Sequence, residues 1–106
     1  MPKYLFTGSY TAAGAAGFRK EGGTGRRAAT EQLMRSLGGN LEAYYFAFGG
    51  DDFVVIADLP GNTQAAAGSL AASAAGGVTV RTTVLLTPEE MDAATKQSAT
   101  YRAPGE

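Results

Sequence analysis

The chain has 106 residues, of which 44% are hydrophobic and 18% charged, with 15 glycines and a formal net charge of -1. That length fits one domain with a modest core of small side chains, and the near-zero charge argues against nucleic acid as a general partner. With neither cysteine nor histidine, the chain lacks disulfides, thiolate nucleophiles, iron-sulfur ligation, and both the commonest metal ligand and the commonest base near neutral pH.

The opening "KYLFTGSYT" is rich in aromatic and β-favouring residues and predicts a first strand over about 3–10. It carries no long apolar run, and no stretch approaches the roughly 20 apolar residues of a membrane span, so the expectation is a cytoplasmic protein with no membrane partner. "AAGAAGFRKEGGTG" follows and is too glycine-rich to read as one helix. "GRRAATEQLMRSLGG" reads as the main helix over about 25–37, with Thr24 as cap, strong helix formers inside and Gly38-Gly39 as the stop. "NLEAYYFAFG" and "DFVVIADLP" are strand-like runs separated by "GGD", a spacing suited to an antiparallel hairpin. "NTQAAAGSLAASAAGG" predicts a second helix capped by Asn62. "VTVRTTVLL" predicts a fourth strand, and "TPEEM" a short third helix with Thr87 as cap, Pro88 in the first turn and Glu90 completing a capping box. The tail over 97–106 has no regular signal.

The resulting order, β-α-β-β-α-β with an extra C-terminal helix, is the split βαβ or ferredoxin-like arrangement of an α+β domain. Its helices cover one face of a four-stranded antiparallel sheet, and the other face should be polar if it meets water. Here both parities are apolar: Phe53, Val55 and Ala57 alternate with Val54 and Ile56, and Tyr45 and Ala47 oppose Tyr44, Phe46 and Phe48. Two apolar faces need two covers. The expected second cover is the same face of another copy, which closes two sheets into a dimeric α/β barrel.

Five of the nine basic residues, Arg19, Lys20, Arg26, Arg27 and Arg35, fall between positions 19 and 35 against Glu21 and Glu31. "EGGTGRR" lacks the lysine and hydroxyl of a nucleotide P-loop and the spacing of a dinucleotide fingerprint, which leaves only the generic anion affinity of a helix start. At about 100° per residue, Arg26 lies over the Leu33–Leu37 stripe and so points inward. A buried guanidinium needs acceptors, and the hairpin carboxylates Asp51 and Asp52 are the expected ones. An Arg26–Asp52 pair reads either as an architectural lock between helix and hairpin or as an anion clamp at the mouth of a cleft. Tyr45 is a candidate pocket phenol, and Arg81, set among threonines in the fourth strand, either pairs across the dimer or adds positive charge to a cavity. Asp51, Asp52 and Asp58 do not have the spacing of a calcium loop, so no metal and no cofactor are expected.

The strand "YLFTGSYT", Arg26 at a helix start, "LGG" at its end, the tyrosine-rich strand and the hairpin leading to "VVIADLP" together resemble the GYD-domain family, related to the dimeric α/β-barrel group. The resemblance runs over nearly the whole chain and implies a barrel dimer or larger assembly, without implying a reaction. The family motif has glycine, tyrosine and aspartate before the third strand. This chain has Gly50-Asp51-Asp52 there, which keeps the carboxylate and replaces the tyrosine. Two functions fit these residues: a homo-oligomeric binding or assembly module for a small, anionic metabolite contacted by Arg26, Asp52, Tyr45 and Arg81, or a cofactor-independent monooxygenase- or isomerase-like enzyme with Asp52 as base and Arg26 as oxyanion donor. The first is favoured, because an arginine beside a carboxylate makes it too acidic for a good base near neutrality.

Overall fold

The computed structural model describes residues 1–106. The elements are β1 (Lys3–Tyr10), α1 (Ala12–Ser36), β2 (Asn40–Phe46), β3 (Phe53–Asp58), α2 (Asn62–Ala74), β4 (Val78–Leu85) and α3 (Pro88–Thr95). One four-stranded sheet runs in the order β2-β3-β1-β4 with every neighbouring pair antiparallel. This is the expected ferredoxin-like α+β arrangement with an added C-terminal helix. No helix is long and apolar enough to cross a membrane.

The first helix differs most from its sequence expectation, because it starts at Ala12 instead of about 25 and its cap is Thr11, not Thr24. Thr11 Oγ1 accepts from the Gly14 amide at 3.1 Å and donates to the Gly76 carbonyl at 2.8 Å. These bonds start the helix and tie it to the turn before β4. The glycines do leave a mark: Gly22 sits at φ 79, ψ 171, so α1 is two helical segments joined at a kink, and only glycine takes that left-handed conformation without strain. The second segment ends as the sequence predicts. Gly39 N–H donates to the Met34 carbonyl and Gly38 N–H to that of Arg35, both at 3.0 Å, the paired bonds of a Schellman stop.

The cap of α2 is Gly61, one residue before the expected Asn62. Asn62 Oδ1 accepts from the Tyr4 hydroxyl at 2.7 Å instead, which gives the polar end of the buried Tyr4 a partner. Thr87, Pro88 and Glu90 form the expected capping box at the start of α3. Gly8 in β1 is required by close approach: a Cβ there would stand 1.8 Å from the Thr79 carbonyl oxygen.

Both α1 and α2 pack on one sheet face, where Tyr4, Phe6, Met34, Phe53, Val55, Ala57, Leu59 and Ala65 form the core. Each large apolar side chain so buried contributes about 1.5–3 kcal/mol. Only 10 of 106 residues are buried, however, and the accessible surface is 7103 Å², against roughly 5,600 Å² for a compact monomer of this mass. On the second face of the sheet Leu5, Thr7, Val54 and Ile56 are only half-buried, and α3, on the C-terminal arm, buries none of its residues.

Candidate functional site

The uncovered face follows from the strand register. Leu5 opposes Ile56 and Thr83, Thr7 opposes Val54, and Tyr45 lies across from Val54 with Ala43 across from Ile56. These side chains alternate with the core residues and so share the face away from the helices. Their centre is apolar and their ends are charged. At one end Lys3 Nζ bridges Glu42 at 2.5 Å and Asp58 at 2.9 Å, with Asn40 donating to Asp58 at 3.2 Å; its two carboxylate partners, Glu42 first, raise the lysine pKa. At the other end Arg81 pairs with Asp51 at 2.5 Å. The carboxylate standing where the family motif has tyrosine therefore serves as the in-chain partner of the isolated arginine of β4.

A second feature lies on the helix side, where the first segment of α1, the end of β1 and the β2–β3 loop enclose a cleft of about 570 Å³ lined by Tyr10, Phe18, Arg19, Phe46, Phe48 and Asp52, among others. Its lining rings stand close together, Tyr10 to Phe18 at 5.0 Å and Phe18 to Phe46 at 4.8 Å between centroids, and they continue to two rings outside the lining, Phe46 to Tyr44 at 5.1 Å and Tyr10 to Phe53 at 5.7 Å. Phe48 is fully exposed at its edge. Asp52 Oδ2 accepts from the Tyr10 amide at 2.9 Å, and its own N–H donates to the Gly8 carbonyl at 2.7 Å. The carboxylate thus continues the sheet ladder one step past the start of β3. Burial first, and then the neighbouring Tyr44 phenol, push the Tyr10 pKa well up; nearby Asp52 adds to this and Arg26 opposes it.

The four sequence candidates do not converge on one pocket. Arg26 lines a cavity of only about 80 Å³ between both helices and the sheet, but its side chain is 38% exposed and not the buried guanidinium expected. Its partner is not Asp52, as expected, but Glu21, at 3.2 Å. An unbroken helix would set residues five apart about 140° from one another; the bend at Gly22 brings them together. Asp52 lines the aromatic cleft, while Tyr45 and Arg81 lie on the uncovered face. The inner tyrosine is Tyr44. Phe18 and Arg19 were missed as site residues because they sit in the stretch whose glycines masked a helix. No group of acidic, cysteine or histidine side chains is arranged to hold a metal.

Among known proteins, the model of the GYD domain matches residues 4–95. No curated protein and no solved structure matches the chain.

Proposed function

The chain belongs to the GYD-domain family, and from that premise we propose that it is a self-assembling module in which two copies pair through their uncovered sheet faces. One observation carries this reading: the face opposite the helices has an apolar centre of Leu5, Val54, Ile56 and Tyr45 between charged ends, and nothing in the chain covers it. Facing copies also bring Lys3, Asp58, Asp51 and Arg81 of each chain toward the rim of the other, where opposite charges set the register. Light scattering coupled to size exclusion should report a dimer at micromolar concentration. Ile56→Lys, which places a charge at the centre of the face and leaves the core untouched, should yield a folded monomer; a monomeric wild type overturns the proposal.

The aromatic cleft supports a ligand-binding role for this module. Its volume falls in the range of small-molecule sites, its rings suit a flat apolar body, and Arg19, which has no ion-pair partner in the chain, is placed to meet a carboxylate. The ligand class proposed is an aromatic acid. Arg26 and Asp52 each engage structural partners, Glu21 and the Tyr10 amide, which favours binding over the catalytic alternative. Benzoate and 2-naphthoate should raise the melting temperature in a concentration-dependent way, and Arg19→Ala should abolish that shift. An unchanged shift in Arg19→Ala, or none in the wild type at millimolar acid, removes the ligand role and leaves the pairing intact.

A further inference from the structure

The aromatic cleft is open on one side, and the ring at that opening is the most exposed large apolar side chain of the molecule. Phe48 is fully exposed although it belongs to the lining of the cleft together with Tyr10, Phe18 and Phe46. A phenyl ring left in water forgoes the free energy that burial returns. Small-molecule sites bury roughly 70–90% of their ligand's surface, which an open cleft does not do without a cover. From these observations we infer that Phe48 is the lid of the cleft: when a flat ring lies against Phe18 and Phe46, the Phe48 ring closes over its free face. The inference rests on the ligand reading of this cleft proposed above, and it adds the residue that encloses the ligand.

The backbone around Phe48 is built for a movement of that size. Both ends of the β2–β3 loop are pinned. Ala47 N–H donates to the Asp52 carbonyl at 3.0 Å and Asp52 N–H to that of Gly8 at 2.7 Å, while Asp52 Oδ2 accepts from the Tyr10 amide. Asp51 is held by Arg81 of β4. Between these anchors Phe48, Gly49 and Gly50 take part in no backbone–backbone hydrogen bond, and the space that a side chain would fill is empty at both glycines. With the dihedral freedom of two successive glycines, a change confined to three residues re-aims the Phe48 ring and leaves Asp52, Tyr10 and the sheet where they are. Closing loops are drawn from spans of this kind, poor in contacts and hung between rigid ends. The Asp51–Arg81 pair thereby gains a second role: it holds the far end of the loop to the sheet, so that closure swings from fixed points and does not unravel β3.

The chain contains no tryptophan, so Phe48→Trp in the full-length protein gives a single reporter at the lid. Without ligand it should emit as a water-exposed indole and be freely quenched by acrylamide. Saturating benzoate should move the emission to shorter wavelength and reduce the quenching, and adding Arg19→Ala should remove both changes. An emission that stays solvent-like while benzoate still raises the melting temperature overturns the lid and leaves the ligand reading standing; no melting shift in the wild type removes both. An emission already blue without benzoate and unmoved by it places the ring against another copy, and that too overturns the lid.

Because an indole is larger than a phenyl ring, a second variant is read independently. Phe48→Ala should melt at the wild-type temperature without ligand, since it removes a ring that touches nothing in the core, and it should bind benzoate about five- to tenfold more weakly by calorimetry, the share that burying half a phenyl ring supplies. An unchanged dissociation constant in Phe48→Ala overturns the lid, because a ring that stays in water contributes nothing to binding.

Discussion

At the scale of single residues, Tyr10 shows how packing sets chemistry in this chain. Its ring lies between Phe18 and Phe53 while its backbone amide is held by Asp52, and burial, with Tyr44 beside it, raises its pKa above the ordinary 10.0. A phenol whose folded pKa is raised favours the protonated form in the native state, so its contribution is complete below the unfolded value and is lost as pH rises through the folded one. Stability should therefore fall from about pH 10 upward, and Tyr10→Phe, which cannot ionise, should flatten that fall relative to wild type. Urea midpoints measured from pH 8 to 11 check this; identical slopes in the two proteins would refute it. None of this was legible in "KYLFTGSYT", where Tyr10 was only a strand residue, because its aromatic neighbours come from a helix and a loop far away in sequence.

Among the elements, α1 departs furthest from propensity. Its first half is held by Thr11, by the turn at Gly76-Gly77 and by Phe18 packing on Tyr10 and Phe46, and these tertiary contacts outweigh glycine costs of about 1 kcal/mol each. The same glycines allow the bend at Gly22 that creates the aromatic cleft on one side and the Arg26–Glu21 pair on the other. Gly22→Ala should destabilise the fold by about 1–2 kcal/mol, because an L-residue is strained at positive φ, and it should weaken binding of aromatic acids as the cleft changes shape. Urea denaturation and the ligand-induced thermal shift measure the two effects. The remaining elements were readable: β-branched and aromatic runs, the Gly38-Gly39 stop and the Thr87 box are local signals that local structure obeys. The cap of α2 moved by one residue because Asn62 is engaged by Tyr4, a partner that local sequence does not reveal.

At the scale of the whole molecule, the core has few buried residues and the surface is larger than a compact monomer's, and the proposed pairing would have copies share the stability that such a core lacks. If so, the melting temperature should rise with protein concentration, since association stabilises the folded state by mass action. The Ile56→Lys variant should lose this dependence and melt lower. Differential scanning fluorimetry across a hundredfold range of concentration tests it, and a flat response in wild type would count against the pairing. Most of the candidate site lay beyond the sequence reading at this scale. Arg26, Asp52, Tyr45 and Arg81 were each sensible choices on their own elements, yet the sheet sends Tyr45 and Arg81 to one face and keeps Arg26 and Asp52 on the other.

The sequence by itself determined the order of the elements, the two apolar faces of the sheet, the capping of α3 and the family, because each depends on short-range periodicity or on residues adjacent in the chain. Only the tertiary structure decided which charges meet. Arg26 found Glu21 across a kink, Asp52 took the Tyr10 amide, and Asp51 took Arg81, since pairing depends on angstrom-scale distances that strand register and one glycine's dihedral angles control.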